Sequence, residues 1–319
     1  MILRALGLGP VRTDPVAHYP DLAPLRRAVR AGDWGGVSAY FAALAPRSDH
    51  SVALRLVATS SGAERFLQAA VDAERDAALP RTLLGARCIV IGWAARTSAR
   101  AKYVTQAQWR VFHDYIGRAE RLLADATAID PTDAAAWTER ITTARAMSLG
   151  LDEARRRYER AAEHCDAPYR AQAQLVQNLC PKWGGTFAQV DAFAEQCRRD
   201  GAPGSLSGAV VADAHIEHAL DGETLSAMHR YLGQSGPRRA VESAAEHTVL
   251  HPDFRPVHGW VTAHSTFAFA LYYGGHLGSA SDHFAALGDR ISPYGWELVA
   301  PQWKPIVRAA RRAMPRSGR

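Results

Sequence analysis

Residues 119–168 read AERLLADATAIDPTDAAAWTERITTARAMSLGLDEARRRYERAAEHCDAP and contain one apolar pattern twice. Each copy spaces a small, a large and a small side chain along one face of a helix, and a proline closes the pattern. Such spacing is typical of the second helix of a tetratricopeptide-type helical hairpin. The two copies consist of Ala119, Leu123, Ala126 and Pro131 and, 35 positions later, of Ala154, Tyr158 and Ala161, with Pro168 close to the place of the second proline.

The same pattern occurs in weaker form towards both ends of the chain, so that helical pairs are predicted near 32–46, 106–168 and 261–293. The run Cys88–Trp93 is apolar and β-branched, as a strand would be, but its helix-compatible flanks and the lack of a partner strand favour a buried helix. No segment alternates with a period of two residues. The sequence therefore predicts an all-α protein: a right-handed superhelix of antiparallel helical hairpins, a TPR-like solenoid with little or no β-structure.

A single repeat domain is predicted over residues 21–303, because no low-complexity segment or clear linker divides it. Residues 1–20 show little periodicity, and we expect an extended lead-in there. Ala99–Thr105 is predicted to be a basic polar linker between two helices, and residues 304–319 a basic C-terminal tail.

The formal charge of +6 arises at one end of the chain. Residues 304–319 contain one Lys, five Arg and no acidic residue, so the rest of the chain is close to neutral. A nucleic-acid interface needs a basic patch spread over the fold, and we therefore predict no clear nucleic-acid site. The run Arg155–Arg157 is interpreted as a solvated helix face. The tail could contact a membrane or a nucleic acid, although a solvated end is the more common state of such tails.

The cysteines favour a reducing compartment, because none forms a C-x-x-C pair and all lie in apolar or helical surroundings. Residues 1–8 are too short and too interrupted for a secretory signal. No apolar run reaches the roughly 18–20 residues that a membrane-spanning helix needs. We therefore expect a cytoplasmic protein without a membrane span. The four cysteines are Cys88, Cys165, Cys180 and Cys197.

Short motifs between residues 80 and 295 form a set: Leu84-Gly85-Ala86-Arg87, Phe112-His113, Ala119-Glu120-x2-Leu123, Asp130-Pro131, Lys182-Trp183-Gly184-Gly185, Asp213-Ala214-His215-Ile216-Glu217-His218 and Leu250-His251-Pro252-x-Phe254. Together they resemble actinobacterial tetratricopeptide-like proteins that overlap the domain-of-unknown-function group DUF4034. The Lys-Trp-Gly-Gly loop is the most recognisable of them. The resemblance implies an α-helical repeat fold, and it implies no established activity.

His215, Glu217 and His218 are the candidate catalytic residues. His215 and His218 are three residues apart in a predicted helix and lie on nearly the same face, where two imidazoles could bind a metal or share a proton with a carboxylate. The spacing is not H-E-x-x-H, and Glu217 points away from the pair. One packed and one exposed histidine is the simpler interpretation, and no cofactor is predicted. A third metal ligand would have to come from elsewhere, such as His113, His264 or His283.

The loop Cys180–Thr186 has an unusual composition. Lys182 offers a cation, Trp183 an aromatic plane, and two glycines a flexible backbone, which could hold an anionic or aromatic ligand. The loop lacks the form of a phosphate-binding loop. A helix–helix corner with Trp183 as a buried anchor is the simpler interpretation.

The Pro-bounded stretch from His251 to His264 is the second candidate ligand-binding segment. Arg255, Trp260 and His264 could line a groove there, since irregular connectors often carry binding residues. The alternative is an extended connector that Phe254 and Trp260 hold in place.

Two functions follow from these patterns. The first is a protein with no reaction of its own, whose groove binds a peptide or protein partner. The second is an enzyme, or a small-molecule or metal-binding protein, of a specialised bacterial pathway, because nine of the 13 histidines follow residue 200. Its pocket would be built from His215, His218, Lys182, Trp183 and His264. The oligomeric state and the identity of the partner are not predicted.

Overall fold

The computed structural model describes residues 9–97 and 103–315, and within these ranges the chain forms α-helices, short 3₁₀ turns and no strand. The only extended pairing among them is an isolated parallel bridge between Arg12 and Arg290. The predicted all-α class is therefore confirmed. The run Cys88–Trp93 lies inside a helix, as the flanking residues indicated.

Backbone contacts divide the chain into two compact units. The N-terminal unit comprises Pro20–Asn178 and Lys182–Gly184. Its helices are α2 (Ala23–Ala31), α3 (Trp34–Ala42), α4 (Ser51–Ala58), α5 (Ala63–Ala73), α6 (Ala78–Arg96), α7 (Gln106–Ile129), α8 (Ala134–Ala146), α9 (Leu151–Glu163) and α10 (Tyr169–Leu179), followed by a 3₁₀ turn (Pro181–Trp183).

The C-terminal unit comprises Met1–Tyr19, Leu179–Pro181 and Gly185–Arg319. Its helices are α1 (Pro15–His18), α11 (Phe187–Asp200), α12 (Val210–Asp221), α13 (Leu225–Leu232), α14 (Ser235–His247), α15 (Trp260–Tyr273), α16 (Leu277–Leu287), α17 (Trp296–Val299) and α18 (Lys304–Ala313). The single repeat domain expected over residues 21–303 stays a prediction.

The duplicated apolar pattern lies on α7 and α9, and its small residues are completely buried. Ala119, Ala126, Ala154 and Ala161 have 0% exposure. Small side chains at these positions let neighbouring helices approach closely. Helices that follow one another in the chain pack together, α6 on α7 and α8 on α9, and α7 also contacts α8.

A compact apolar cluster joins the second copy of the pattern to the helices on either side of it. Trp137 and Ile141 of α8, Ala161 of α9 and Ala171 of α10 form its buried part. Tyr158, the large residue of the pattern, packs against this cluster. The periodicity of the sequence thus predicted the buried face of this hairpin.

Two glycines of α6 allow it to pack closely on α7. A Cβ at position 85 would lie 2.7 Å from Cγ of Leu123, which is closer than side-chain atoms approach in proteins. A Cβ at position 92 would lie 3.4 Å from Cδ1 of Ile116. Gly85 is therefore required by the large residue of the first copy of the pattern.

Charged residues connect the hairpins within the core of the N-terminal unit. Glu120 of α7 accepts hydrogen bonds from Arg140 of α8 at 2.9 Å and from Arg157 of α9 at 2.8 and 2.9 Å, and Thr143 also donates to it. Arg157 is 2% exposed and also bonds Glu153. The interpretation of Arg155–Arg157 as a solvated face is thus wrong for Arg157, because the carboxylate of Glu120 compensates its buried charge.

Side-chain caps fix the starts of three helices. Oδ1 of Asp133 accepts from the backbone N–H of Ala136 at 2.9 Å. Thr105 and Thr186 each form a capping box with the glutamine three residues later. These caps place the first turns of α7 and α11, which carry residues of the sites described below.

The start of the chain is part of the C-terminal unit. Arg12 forms an ion pair with Asp289 at 3.0 Å, and the hydroxyl of Tyr19 accepts from the backbone N–H groups of Gly259 and Val261. Tyr19 is buried, so the segment expected to be an extended lead-in over residues 1–20 contributes to the core; its residues 1–8 lie outside the described part.

The end of the chain forms a helix where a basic tail was expected. Val307 and Ala310 of α18 are fully buried, and Arg311 donates to the carbonyl oxygens of Pro10 and Arg290. Residues 316–319 of the predicted tail and residues 99–102 of the predicted linker Ala99–Thr105 lie outside the described ranges.

Candidate functional site

Indole rings and guanidinium groups alternate on the N-terminal unit. The order is Trp109, Arg96, Trp93, Arg145, Trp183, and we refer to these five residues as the Trp–Arg ladder. Cζ of Arg96 lies 5.3 Å from the ring centroid of Trp109 and 5.5 Å from that of Trp93. Cζ of Arg145 lies 5.7 Å from the centroids of both Trp93 and Trp183. All four distances are within the range of cation–π attraction.

Three helix ends and one turn position the ladder. Trp93 and Arg96 are one helical turn apart at the end of α6, so both side chains lie on one face. Trp109 is held in the first turn of α7 by the capping box at Thr105. Arg145 stands in the last turn of α8, and Trp183 ends the 3₁₀ turn.

The ladder lies at the surface of its unit. All five side chains have intermediate exposure. Phe112 is the buried residue beneath it, with its ring centroid 5.0 Å from that of Trp93 and 5.6 Å from that of Trp109. The edges of Trp93 and Trp183 also meet, with centroids 6.2 Å apart. One buried ring therefore supports a row of half-exposed rings and cations.

The sequence-predicted residues Lys182 and Trp183 occupy the end of this row. Trp183 is half-buried, so it is neither the fully buried anchor of the simpler interpretation nor a free aromatic plane. Lys182, on the same 3₁₀ turn, is exposed. Gly184 follows with φ +95°, a conformation that favours glycine and turns the chain sharply after Trp183.

The candidate histidines of α12 lie in a different cluster, on the C-terminal unit. The His218 ring stacks between Phe187 and Tyr231, with centroids 3.7 and 5.1 Å away and interplanar angles of 24° and 6°. Its Nε2 lies 3.1 Å from Oδ1 of Asp191. Nδ1 of His215 lies 2.8 Å from the hydroxyl of Tyr231.

Burial determines the protonation of this cluster. It lowers the pKa of His215 to about 4, against the charge of Asp191, which acts to raise it. Burial, helped by the charge of Asp191, raises the pKa of the Tyr231 phenol. Near pH 7 the tyrosine therefore keeps its proton and His215 is neutral, and the tautomer of the imidazole determines which of the two donates in the hydrogen bond. His215 is thus a poor proton acceptor for a reaction near pH 7.

The third candidate catalytic residue, Glu217, lies in the core of the same unit. It is 4% exposed, and its Oε1 lies 3.5 Å from the hydroxyl of Tyr294. Its Oε2 lies 3.9 Å from Sγ of Cys180. These contacts make Glu217 part of the packing around α12.

His264 is buried in an aromatic box of the C-terminal unit. Its Nδ1 lies 3.0 Å from Nδ1 of His283, and both side chains are at most 2% exposed. Burial lowers the pKa of His264 to about 4, and burial together with the neighbouring His264 lowers the pKa of His283 well below its usual range. Two neutral imidazoles can share one hydrogen bond. The surrounding rings are those of Phe254, Trp260 and Phe267.

The remaining predicted residues of the 251–264 stretch do not converge on an open groove. Trp260 is 8% exposed and stacks with Arg290, whose Cζ lies 4.6 Å from the ring centroid. Arg255 is exposed and donates to the carbonyl oxygens of Pro252 and Phe254. Trp260, the first residue of α15, anchors the end of this connector, and a ligand-binding role of Arg255, Trp260 and His264 stays a prediction.

Across residues 9–97 and 103–315, no three His, Cys, Asp or Glu side chains are arranged to hold a metal ion. His264 and His283, two suggested third ligands, contact each other, and the third, His113, lies beside Trp109 on the N-terminal unit. A metal at His215 and His218 stays a prediction.

Sequence reasoning identified one member of the ladder and missed its partners. The run that ends at Trp93 was predicted only as part of a buried helix, and Arg96 and Arg145 were not singled out. The spacing of Trp93 and Arg96 was a usable signal, because residues three apart in a helix are neighbours. Asp191, Tyr231 and Phe187, which surround the histidine pair, come from two other helices and gave no local signal.

The chain matches no protein-family model, and no curated protein or solved structure is similar to it. The likeness to DUF4034 tetratricopeptide-like proteins therefore stays a prediction. No helix in the described part of the chain is both long enough and apolar enough to cross a bilayer.

Proposed function

We propose that this chain is a TPR-like helical-repeat protein that binds a peptide or protein segment on its N-terminal unit and carries out no reaction of its own. The Trp–Arg ladder is the observation that carries this proposal. Tryptophan and arginine are the residue types that most often dominate the free energy of protein association. Their half-burial leaves rings and guanidinium groups within reach of a ligand.

The order of the helices supports the same function. Trp93 lies on α6, Arg145 on α8, and Gln174, which accepts a hydrogen bond from Arg145 at 3.2 Å, on α10. These are alternate helices along the chain. In helical-repeat proteins, alternate helices line one continuous binding face, and the rotation between repeats curves that face into a superhelical groove.

We further propose that the protein works in the cytoplasm. All four cysteines are buried thiols. Burial raises the pKa of Cys165 to about 12 and that of Cys88 less, so these thiols are protonated and unreactive. Such cysteines suit a reducing compartment.

Selection of peptides from a random library of about 12 residues tests the proposed function. The purified protein should enrich a peptide family, and Trp183→Ala should weaken its binding by at least about tenfold, as expected when a contact residue is lost. Trp34→Ala is the matched control, because Trp34 is also half-buried in the same unit but donates to Glu74 at 2.6 Å, outside the ladder.

Two outcomes would contradict the proposed function. One is that the wild-type protein enriches no peptide family. The other is that Trp34→Ala weakens binding as much as Trp183→Ala does, because the ladder would then have no particular role. Circular dichroism of both variants would establish that each is folded.

A second function, a small-molecule or metal-binding protein or enzyme, is favoured by the cluster of His215, His218, Asp191 and Tyr231. The stacking of His218 between two rings and its contact with Asp191 are unusual for a surface histidine. Lys182 and Trp183, which were also predicted for this pocket, belong to the other unit.

Thermal unfolding with divalent metals or small anions tests this second function. A rise in melting temperature that His215→Ala abolishes would favour it. Unchanged melting for every added compound, together with an unaltered response in His215→Ala, would exclude the cluster as a binding site.

A further inference from the structure

Helix α18 of the C-terminal unit carries basic side chains that the proposed function does not use. Lys304, Arg308 and Arg312 follow one another at intervals of four residues, so they lie along one side of the helix. We refer to these three residues as the basic row. From this geometry we propose that the basic row binds the surface of a membrane that contains anionic lipids. This inference goes beyond the proposed function and does not depend on it.

The charges of the basic row are accessible and have no acidic partner. Lys304 and Arg312 are exposed, and Arg308 is half-buried. Among the described residues, none of the three side chains forms an ion pair or a hydrogen bond, and Nζ of Lys304 lies 6.0 Å from the ring centroid of the adjacent Trp303. Residues 304–319 contain no Asp or Glu. The row therefore presents positive charge that an external anion can neutralise.

Other residues of α18 hold the helix in place. Val307 and Ala310 are fully buried. The guanidinium group of Arg311 donates to the carbonyl oxygens of Pro10 and Arg290, each at 3.2 Å. The helix is thus packed in its unit by one side, and the basic row can contact a flat surface without a change of fold. Little ordering of the backbone then opposes the association.

The protein does not compensate the repulsion between the charges of this helix. Like charges four residues apart in a helix destabilise it. Burial, assisted by the charge of Arg308 and opposed by that of Asp289, lowers the pKa of Arg311. Asp289 already forms an ion pair with Arg12 at 3.0 Å. An anionic surface beside the basic row would relieve this repulsion, which favours association.

The distribution of charge along the chain favours a planar partner. Residues 304–319 carry six positive charges, which equal the formal net charge of the whole chain. A flat membrane contacts a protein at one end, whereas a nucleic-acid interface needs basic residues spread over the fold. Each basic residue near an anionic membrane strengthens association by about fivefold. The cytoplasmic leaflet is the negatively charged one, which agrees with the location proposed above.

The surroundings of the basic row do not suit a single-stranded nucleic acid or insertion into a bilayer. Single strands stack their bases on exposed rings. Trp303, the ring beside Lys304, is only 8% exposed. Insertion would need an exposed apolar face, but Val307 and Ala310 of α18 are packed in the unit. The inferred contact is therefore electrostatic and lies at the level of the lipid headgroups.

Co-sedimentation with lipid vesicles tests the inference on the full chain. At low salt, vesicles of phosphatidylcholine with about 30% phosphatidylglycerol should bind the protein at least about twentyfold more tightly than vesicles of phosphatidylcholine alone. Binding should weaken as the salt is raised from about 0.05 M to about 0.5 M, because salt screens exposed charges. Trp183→Ala should leave vesicle binding unchanged, since the ladder takes no part in it.

A triple variant connects the vesicle binding to the basic row. Lys304→Gln, Arg308→Gln and Arg312→Gln together should weaken binding to the anionic vesicles by about a hundredfold, as expected for the loss of three charges close to the surface. The substituted side chains are exposed or half-buried and make no hydrogen bond among the described residues, so the fold should persist. Circular dichroism of the variant checks this.

A charge-matched control separates the position of the charges from their number. It removes three exposed arginines from other helices of the same unit, and should weaken vesicle binding by less than about threefold, because more distant charges are screened. The substitutions of the control are Arg199→Gln, Arg230→Gln and Arg239→Gln.

Three results would overturn the inference. The first is that anionic and neutral vesicles bind equally or not at all. The second is that the control weakens binding as much as the basic-row variant does, or that the basic-row variant binds as the wild type does. The third is that a DNA duplex of about 20 base pairs binds more tightly than the anionic vesicles and loses this binding in the basic-row variant, which would favour a nucleic-acid partner.

Discussion

Basic side chains lie against aromatic rings in both units, but in different surroundings. In the N-terminal unit, Arg96 and Arg145 alternate with half-exposed indoles. In the C-terminal unit, His264 and His283 lie in a closed aromatic box and are at most 2% exposed. Burial lowers the pKa of both histidines and keeps them neutral near pH 7.

The difference teaches that residue type alone does not identify a binding surface. A histidine can lose its proton and be buried in the core as a neutral side chain. A large number of histidines in a sequence therefore does not by itself indicate a binding site. An arginine cannot lose its proton, and it must remain near water or be paired with a carboxylate, as Arg157 is. The N-terminal unit thus keeps arginines beside half-exposed indole rings, whereas the C-terminal unit packs His264 and His283 among buried rings.

The largest effect is expected for the buried charge of the N-terminal unit. Arg157→Ala should lower the free energy of unfolding by about 3–5 kcal/mol, because it removes the packing of a 2% exposed side chain and leaves the 16% exposed Glu120 with Arg140 but without its more buried ion-pair partner. Arg156→Ala, the neighbouring control with 52% side-chain exposure, should lower it by less than about 1 kcal/mol. Urea unfolding of both variants provides the measurement. Equal losses of stability in the two variants would mean that Glu120 does not hold Arg157 as a buried charge.

The second prediction concerns the stability of the folded chain at acidic pH. His264 has a pKa of about 4 in the folded chain and an ordinary value of 6.5 when unfolded, so between these pH values the unfolded chain binds more protons. Stability must then rise with pH, and it should fall by up to about 3 kcal/mol for this group as the pH drops from 6.5 to 4. His215, whose pKa burial also lowers to about 4, should likewise reduce the stability of the folded chain as the pH falls.

Urea unfolding at several pH values checks the acid prediction. His283→Gln should make the loss of stability with acid smaller, because it removes one of the two buried imidazoles whose pKa is lowered in the folded chain. His251→Gln, on the partly exposed connector of the same unit, is the control and should leave the slope unchanged. A wild-type stability that stays constant between pH 6.5 and 4 would contradict the neutral state of the histidine box.

The smallest of the three effects tests the close packing beneath the ladder's helices. Gly85→Ala should destabilise the protein by about 1–3 kcal/mol, because the new Cβ would lie 2.7 Å from Cγ of Leu123. Gly117→Ala, on the neighbouring helix where the nearest atom is 3.6 Å away, should be neutral or stabilising by up to about 1 kcal/mol. Stabilisation by both variants would show that α6 and α7 pack less closely than described.

The fold class and the buried face of the central hairpin were predictable because they depend on local periodicity. Ala119, Ala126, Ala154 and Ala161 recur at helical spacing, and all four are fully buried. The burial of Arg157 was not predictable, because its partner Glu120 lies 37 residues away in another helix. Local sequence patterns determine which face of a helix is apolar. They do not determine which charged residue of a neighbouring helix contacts that helix.

The candidate sites could be predicted from the sequence only to the same extent. Trp183 attracted notice because its loop has an unusual composition, but its neighbours in the ladder come from α6, α7 and α8. His215 and His218 were correctly placed on one helix, yet Asp191 and Tyr231, which determine their chemistry, come from α11 and α13. Both clusters depend on packing between helices that are distant in sequence, and one sequence alone carries no signal for that packing.

The central claim is that the Trp–Arg ladder is the recognition surface, and fluorine NMR tests it most directly. The chain has eight tryptophans, which can be labelled as 5-fluorotryptophan and assigned by single Trp→Phe variants. On addition of a peptide enriched in the library selection, the resonances of Trp93, Trp109 and Trp183 should shift, and those of Trp34, Trp137, Trp260, Trp296 and Trp303 should not. Shifts confined to Trp260, Trp296 and Trp303 would contradict the claim, because they would place the binding surface on the C-terminal unit.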